Sequence, residues 1–391
     1  LELSNLKWQT TTQVNFGMNF AAFKNRLNID VEVYQKRSKD QYFQNLSLPS
    51  TTGFTKADVN SGSMENKGFE LSINTVPYRS KAWNISFNIN LARNINSILD
   101  VPDQYPMQKG VLTTNGQYVR RFELGQPIGA IYGFRYKGVY LNDDQTIARD
   151  ANGNKIYSYD ASGKRTPVQM RFAYPTIDYQ FKAGDAIYED INHDGNIDYQ
   201  DVVYLGNANP ILTGGFGPNI RYKSVSVSAF FNFRYGNKVI NKMGMSLQNM
   251  ASYNNQSKAV LRRWRHPYED EATAPTDLLP RAVYGSKNAY NYLGSDRFVE
   301  DGSFLRFKTL TVKYTFDKKQ LKNTFLQSCQ IWTTLSNLYV WTNYSGMDPE
   351  IALTGGAFKM GEDNSRIPRS FTATLGMSCL LYTSDAADEA R

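Results

Sequence analysis

The chain has 391 residues, with 44 Lys and Arg against 36 Asp and Glu, a formal charge of +8 and a mean hydropathy of −0.51. Aromatic residues make up 14 % and only two cysteines occur, so neither a disordered chain nor a disulfide-stapled one fits. No run of about 18 apolar residues is present, which excludes a membrane-spanning helix.

The chain opens at Leu1 without an initiator Met, a basic n-region or an apolar leader, so the absent targeting signal says nothing about location. From there the period is two. Val14, Phe16, Met18 and Phe20 alternate with Asn15, Gly17 and Asn19; Leu27, Ile29, Val31 and Val33 alternate with Asn28, Asp30 and Glu32. Phe69, Leu71 and Ile73 follow, and Trp83-Asn84-Ile85-Ser86-Phe87-Asn88-Ile89-Asn90-Leu91 alternates without a break. Val225 to Phe233, Leu310 to Phe316 and Phe371 to Met377 repeat the pattern, and segments near 212–222 and 327–341 fit it less cleanly. About nine long strands are predicted.

The connections alternate too. Short polar turns lie at 23–25, 78–81 and 223–224, with a moderate one at 317–323, and long excursions span about 43–64, 96–211, 237–299 and 343–367. Short turns on one rim and long loops on the other predict a transmembrane β-barrel with long extracellular loops. Strands of about 9–11 residues cross a tilted bilayer path. Apolar residues then face lipid, while Asn, Ser and Thr line a wet interior.

The far end, Cys379 to Arg391, reads as an in-frame translation of a sequencing adapter. The expectation is therefore a native sequence ending near Ser378, with 379–391 a non-native tail; a genuine polar tail is the alternative.

Several ordered motifs carry a family resemblance. They are Leu6-Lys7-Trp8-Gln9, Gly62-Ser63-Met64-Glu65-Asn66-Lys67-Gly68-Phe69, Ile131-Tyr132-Gly133-Phe134, Asp301-Gly302-Ser303-Phe304-Leu305-Arg306-Phe307, Asn343-Tyr344-Ser345-Gly346-Met347-Asp348-Pro349-Glu350 and Pro368-Arg369-Ser370-Phe371. In this order they resemble the C-terminal part of the SusC/RagA family of TonB-linked outer-membrane transporters from Bacteroidetes, over residues 1–378. The resemblance implies about the last nine strands of an antiparallel, 22-stranded barrel. It also implies a place in the outer membrane and uptake of an oligosaccharide or peptide nutrient. The implied partners are a SusD-like surface lipoprotein acting as a lid, and TonB acting through an N-terminal part that lies outside this chain.

The sharpest local motif is Asp190-Ile191-Asn192-His193-Asp194-Gly195-Asn196-Ile197-Asp198-Tyr199-Gln200-Asp201, which has the spacing of an EF-hand calcium loop. Asp190, Asn192, Asp194, Asn196, Asp198 and Asp201 would offer the hard oxygens that Ca²⁺ prefers. Position 12 is Asp rather than Glu and no flanking helices are evident. A self-bonded Asp/Asn/Gly turn is thus the equal alternative. Loop aromatics, among them Tyr174, Tyr179, Trp264, Tyr268, Tyr290 and Tyr292, are candidates for stacking on cargo or meeting a lid; loop packing is the alternative for each. Trp83, Trp332 and Trp341 are candidates for the interfacial girdle. Cys329 reads as a small strand residue.

The basic cluster Arg262, Arg263 and Arg265 is followed by Glu269, Asp270 and Glu271, which suits a solvated loop better than nucleic acid. No H-E-x-x-H, G-x-S-x-G or P-loop motif occurs, and no catalytic residue is nominated. The rival reading is a secreted or surface β-rich module, glycan-binding or hydrolytic, with a calcium-stiffened loop.

Overall fold

The computed structural model describes residues 7–47, 56–101, 118, 122–174, 177–269, 271–285, 290–322, 324–350 and 361–381. Nine strands form one antiparallel sheet in chain order: β1 Thr10–Ala22, β2 Leu27–Lys39, β3 Ser63–Arg79, β4 Trp83–Asp100, β5 Leu212–Tyr222, β6 Val225–Tyr235, β7 Phe304–Thr315, β8 Leu326–Thr342 and β9 Thr372–Leu381. Each pairs with its sequence neighbour, the topology of an up-and-down barrel wall.

The register sorts the side chains into two faces, because a strand's side chains alternate. One polar row crosses seven strands as Asn19, Asp30, Ser72, Asn90, Gly215, Asn232 and Arg306. On the opposite face Phe216 stacks on Phe231 at 5.1 Å and Phe231 on Phe307 at 4.5 Å, a ladder of rings across three strands. Val14, Phe16 and Met18 on that face remain more than half exposed. No second sheet covers it among the described residues, and the largest fully buried side chains, such as Tyr132, Phe172, Phe181, Ile197 and Leu293, all lie in the loops. A sandwich would bury its apolar strand faces against each other; this wall presents them to lipid.

Aromatic belts mark both ends of that face. Trp83 lies 4.4 Å from Tyr222 at the short-turn end, and Tyr339 lies 4.8 Å from Trp341 toward the long loops. Such belts sit at the two membrane interfaces. Trp332 departs from the girdle expectation: it pairs with Gly376 on the polar face. A Cβ at 376 would come within 2.5 Å of the indole, so glycine there is what lets the ring lie flat against β9.

The short turns are tight. Phe23, Lys24 and Asn25 all take left-handed φ, from 56° to 61°, and Arg26 N donates to Ala22 O across the turn. Lys223 closes β5 to β6 with φ 50°. The fourth short connection, from β7 to β8, holds a single helical turn, α1 Lys318–Leu321, capped by Asp317.

Cys329 and Cys379 face each other across β8 and β9 and are joined as a disulfide, so Cys329 is more than a small strand residue. Residues Cys379–Leu381 continue β9, and the remainder of the tail, 382–391, lies outside the described residues.

The long connections build their own small sheets. Residues 130–133 pair with 203–207, 136–139 with 186–188, and 238–241 sits between 299–301 and 362–363. Tyr132, Phe134, Tyr140, Met170, Phe172, Phe181 and Tyr188 pack into one core there.

Candidate functional site

The polar face and the loops gathered at its long-loop rim form the candidate site. The face is charged unevenly. Asp30, Glu32 and Glu70 project from β2 and β3, with Glu32 directly opposite Glu70. Arg221, Arg234, Arg306 and Lys313 project from β5 to β7, and Arg221 and Lys313 flank Ser226. Like charges set opposite each other cost stability in a sheet. Asn15 Nδ2 offsets part of that cost by donating to Glu32 Oε1 at 2.7 Å. Between the charged regions the wall is a carpet of amides and hydroxyls, with Asn74, Asn88, Asn90 and Asn219 spread over three strands.

At the rim a buried ion-pair clasp pins the last long loop to this face. Arg306 Nη2 meets Asp348 Oδ1 at 2.6 Å, and its Nε lies 3.1 Å from Glu350 Oε2, an ion pair off the line of a hydrogen bond. Arg369 Nε reaches the same Glu350 oxygen at 3.1 Å. The Arg306, Asp348 and Glu350 side chains are all under 10 % exposed. Three of the motifs quoted above thus converge in one place. Neighbouring bonds extend the clasp: Ser345 Oγ and N both donate to Glu300, and Tyr344 Oη donates to Asp363 at 2.7 Å. Burial, and then the hydrogen bond to Asp363 and its charge, push the Tyr344 phenol well up.

A second hub holds the loop core. The Asp185 side chain is fully buried and accepts from Arg281 Nε at 2.7 Å, Tyr179 Oη at 2.7 Å, Lys182 N at 2.9 Å and Asn291 Nδ2 at 3.2 Å. Tyr179 stacks on Tyr290 at 4.2 Å, and burial pushes its phenol up. Tyr292 is 2 % exposed and donates to Gln248 O. Trp264 donates to Leu141 O at 3.2 Å and covers Gly184. Tyr268 packs near His266 and remains half-buried. Of the six nominated aromatics, Tyr179, Tyr290, Tyr292 and Trp264 are therefore built into loop packing, and the side chain of Tyr174 lies outside the described residues. The most exposed loop aromatics are Tyr253 and Tyr284, whose rings lie 5.9 Å apart.

The 190–201 loop folds into a closed turn. Asp190 accepts from Gly195 N at 2.8 Å and Asp194 N at 3.3 Å, and Asp194 accepts from Asn196 N at 2.8 Å. Asn192 Oδ1 also takes the Asp194 N–H, and Gly195 adopts φ 83°, which suits a residue without Cβ. Asp198 caps the turn Tyr199–Asp201, while Asp201 accepts from Asp198 N and Ile191 N. The Asn196 side chain turns away to bond Ala173 N. Burial pushes the Asp201 carboxyl up to about 6 and raises that of Asp190, with neighbouring carboxylates adding to both. A dication would relieve this crowding, and the oxygen-only donor set suits Ca²⁺. As folded, however, the oxygens are engaged by backbone N–H groups, and no three acidic, His or Cys side chains among the described residues are drawn together to ligand distance.

The clasp residues belong to motifs far apart in the chain, and only the fold brings them together. The available signal was an Arg in one motif and unpaired acids in the next.

A nine-stranded wall with a lipid-compatible outside, a polar inside and long loops on one rim defines a transmembrane β-barrel of the outer membrane. Residues 2–159 match the family described as TonB dependent receptor-like, beta-barrel. The chain is 28 % identical to TonB-dependent receptor P39 of Formosa agariphila, covering 96 % of this chain and 36 % of the relative. It is 26 % identical to TonB-dependent receptor SusC of Bacteroides thetaiotaomicron, covering 96 % and 32 %. The fold superimposes on the RagAB peptide transporter with a TM-score of 0.66 at 23 % identity, over 95 % of this chain and 35 % of that one. The chain spans about a third of the length of the curated relatives it matches. In sequence it is similar to TonB-dependent receptors including SusC, and in fold to RagAB.

Proposed function

We propose that this wall belongs to a channel that imports a nutrient, oligosaccharide or peptide, across the outer membrane with energy from TonB, under a SusD-like surface lipoprotein. The observation that carries the reading is the pair of faces on one sheet, apolar outside and amide-rich inside, in a chain whose curated relatives are TonB-dependent receptors.

The wall's own part is solvation and shape. Asn and Ser side chains offer both donors and acceptors, so a hydrated cargo exchanges water for wall contacts at little cost. The clasp holds the 343–350 segment against the β7 side of the wall, and the Asp185 hub ties the larger loops together. The lipoprotein would meet the rim, where Tyr253, Tyr284 and the half-buried Tyr268 offer apolar contact. Calcium in the 190–201 loop would stiffen that rim by replacing backbone donors around Asp190, Asn192, Asp194, Asp198 and Asp201.

Growth of the source bacterium on single glycans and on peptide mixtures, with and without the gene, tests the reading. Loss of uptake of one nutrient class, restored by the intact gene and abolished again by a protonophore or by loss of TonB, is the expected result. Uptake that is unaffected by de-energising the membrane overturns it.

A further inference from the structure

Among the described residues the sheet is not paired along its whole height. β4 runs on to Asp100, but β5 begins at Leu212, and the last pairing between them is Thr213 with Ala92. Above Ala92 the edge of β4 that faces β5 has no strand partner among the described residues, while its other edge stays paired with β3 up to Asp100. Further up, Ile98 N donates to Gln126 O at 2.9 Å and Gly125 N donates to Ile98 O at 2.8 Å. Backbone groups alternate between the two edges of a strand. Asn94 and Asn96, four and two residues before Ile98, therefore point their N–H and C=O groups toward the same open edge.

The opening is a slot of about 530 Å³, bounded by Ala92–Ser97 on one side and by the 207–213 segment on the other, with Ile128 near its top. That volume is within the usual range for a ligand site. Its lumenal side is a neutral amide network: Asn66 Oδ1 accepts from Asn94 Nδ2 at 3.2 Å and Asn96 Nδ2 at 3.0 Å, and Tyr34 Oη donates to Asn94 Oδ1 at 3.2 Å. Asn96 Oδ1 and Asn209 Nδ2 grip the N–H and C=O of Ile128, which holds the top in place. The slot begins at the level of Leu212, which pairs with Tyr235 of the upper aromatic region, so the open edge lies at or above the membrane interface. At lipid depth an unpaired edge would cost several kcal/mol.

We propose that this slot binds an extended peptide, which adds to the Arg93–Ser97 edge of β4 as a short extra strand. The open edge is roughly 17 Å long at about 3.3 Å per residue, enough for four or five peptide residues. Two things favour a peptide over a sugar. The groups without a strand partner among the described residues form a backbone edge with strand spacing, which a peptide main chain matches and a pyranose does not. The amide side chains beside it are already engaged with one another and are poorly placed to serve hydroxyls. The inference rests on the import reading, since it names a cargo class for that same lumen.

The test uses the full-length receptor in detergent, with three probes: a neutral hexapeptide, the same peptide N-methylated at alternate amides, and a neutral hexasaccharide. The expected result is hexapeptide binding weakened at least tenfold by N-methylation and by Asn94→Pro, which removes one backbone donor from the edge. Asn94→Ala removes only the side chain and should change affinity less than threefold. Binding indifferent to N-methylation overturns the proposal, and so does hexasaccharide binding that Asn94→Ala abolishes. If Asn94→Pro fails to assemble, the N-methylated probe on the unaltered receptor decides alone. Energised uptake is measured separately: a receptor that binds the peptide at this edge yet imports nothing refutes the transport reading and leaves the slot standing.

Discussion

Replacing Arg306 by Met removes the cation that Asp348 and Glu350 share. Both carboxylates stay buried, with side chains 3 % and 8 % exposed, and the half-exposed Arg369 and the more distant Arg234 are left to answer Glu350. Removing one partner of a buried ion pair costs about 3–5 kcal/mol, because the other charge is stranded. The cost falls on the loop rather than the barrel, since the clasp joins residues 343–350 to a wall that nine paired strands hold independently. Local opening should therefore become about a hundredfold to a few thousandfold more frequent, at tenfold for each 1.4 kcal/mol. Hydrogen–deuterium exchange of the peptide covering 343–350 reads this directly, because Glu350 N donates to Asp348 Oδ1 and Ser345 N to Glu300 Oε2. The triple variant Arg306→Met, Asp348→Asn, Glu350→Gln leaves no stranded charge and should exchange within about tenfold of the native rate, since neutral replacement of a buried pair costs little. Exchange unchanged in Arg306→Met would refute the clasp.

On the lipid face, Ile89→Arg and Val227→Arg should each cost about 2–4 kcal/mol in refolding into vesicles, while Asn88→Arg on the lumenal face should cost far less; equal costs would mean the faces are assigned wrongly. Gly376→Val should cost about 1–3 kcal/mol by driving a side chain into Trp332. Adding Trp332→Ala should recover part of that loss, and no recovery would show that the indole lies elsewhere. Calcium at about 1 mM should slow exchange across 190–201, and the variant Asp190→Asn, Asp194→Asn should not respond; identical traces with calcium and with chelator would leave the loop a self-bonded turn.

The wall was legible because lipid on one side and water on the other impose a strict alternation on any strand that separates them. Trp83 to Leu91 displays it residue by residue, and the turn at 223–224 falls where the pattern pauses. Legibility failed where that constraint ends. β4 continues to Asp100, past the predicted limit near 96, because Arg93, Asn94 and Ile95 rise beyond the apolar band and outward positions there need not be greasy. Trp332 was assigned to the girdle by residue type alone, and only its register with Gly376 reveals the lumenal side. The clasp joins residues 42 apart, and the Asp185 hub reaches Arg281 across 96, separations that no local pattern encodes. The disulfide went unseen for the same reason: Cys329 and Cys379 meet only once β8 and β9 are in register.

The uneven charging of the polar face gives the passage a direction across its width. Asp30, Glu32 and Glu70 stand on one flank, and Arg221 and Lys313 on the other. In the proposed channel a cargo with unlike ends would be turned crosswise, its cationic end toward β2 and β3 and its anionic end toward β5 and β7, before any close contact forms. An uncharged traveller feels no such torque and tumbles freely until shape alone selects it.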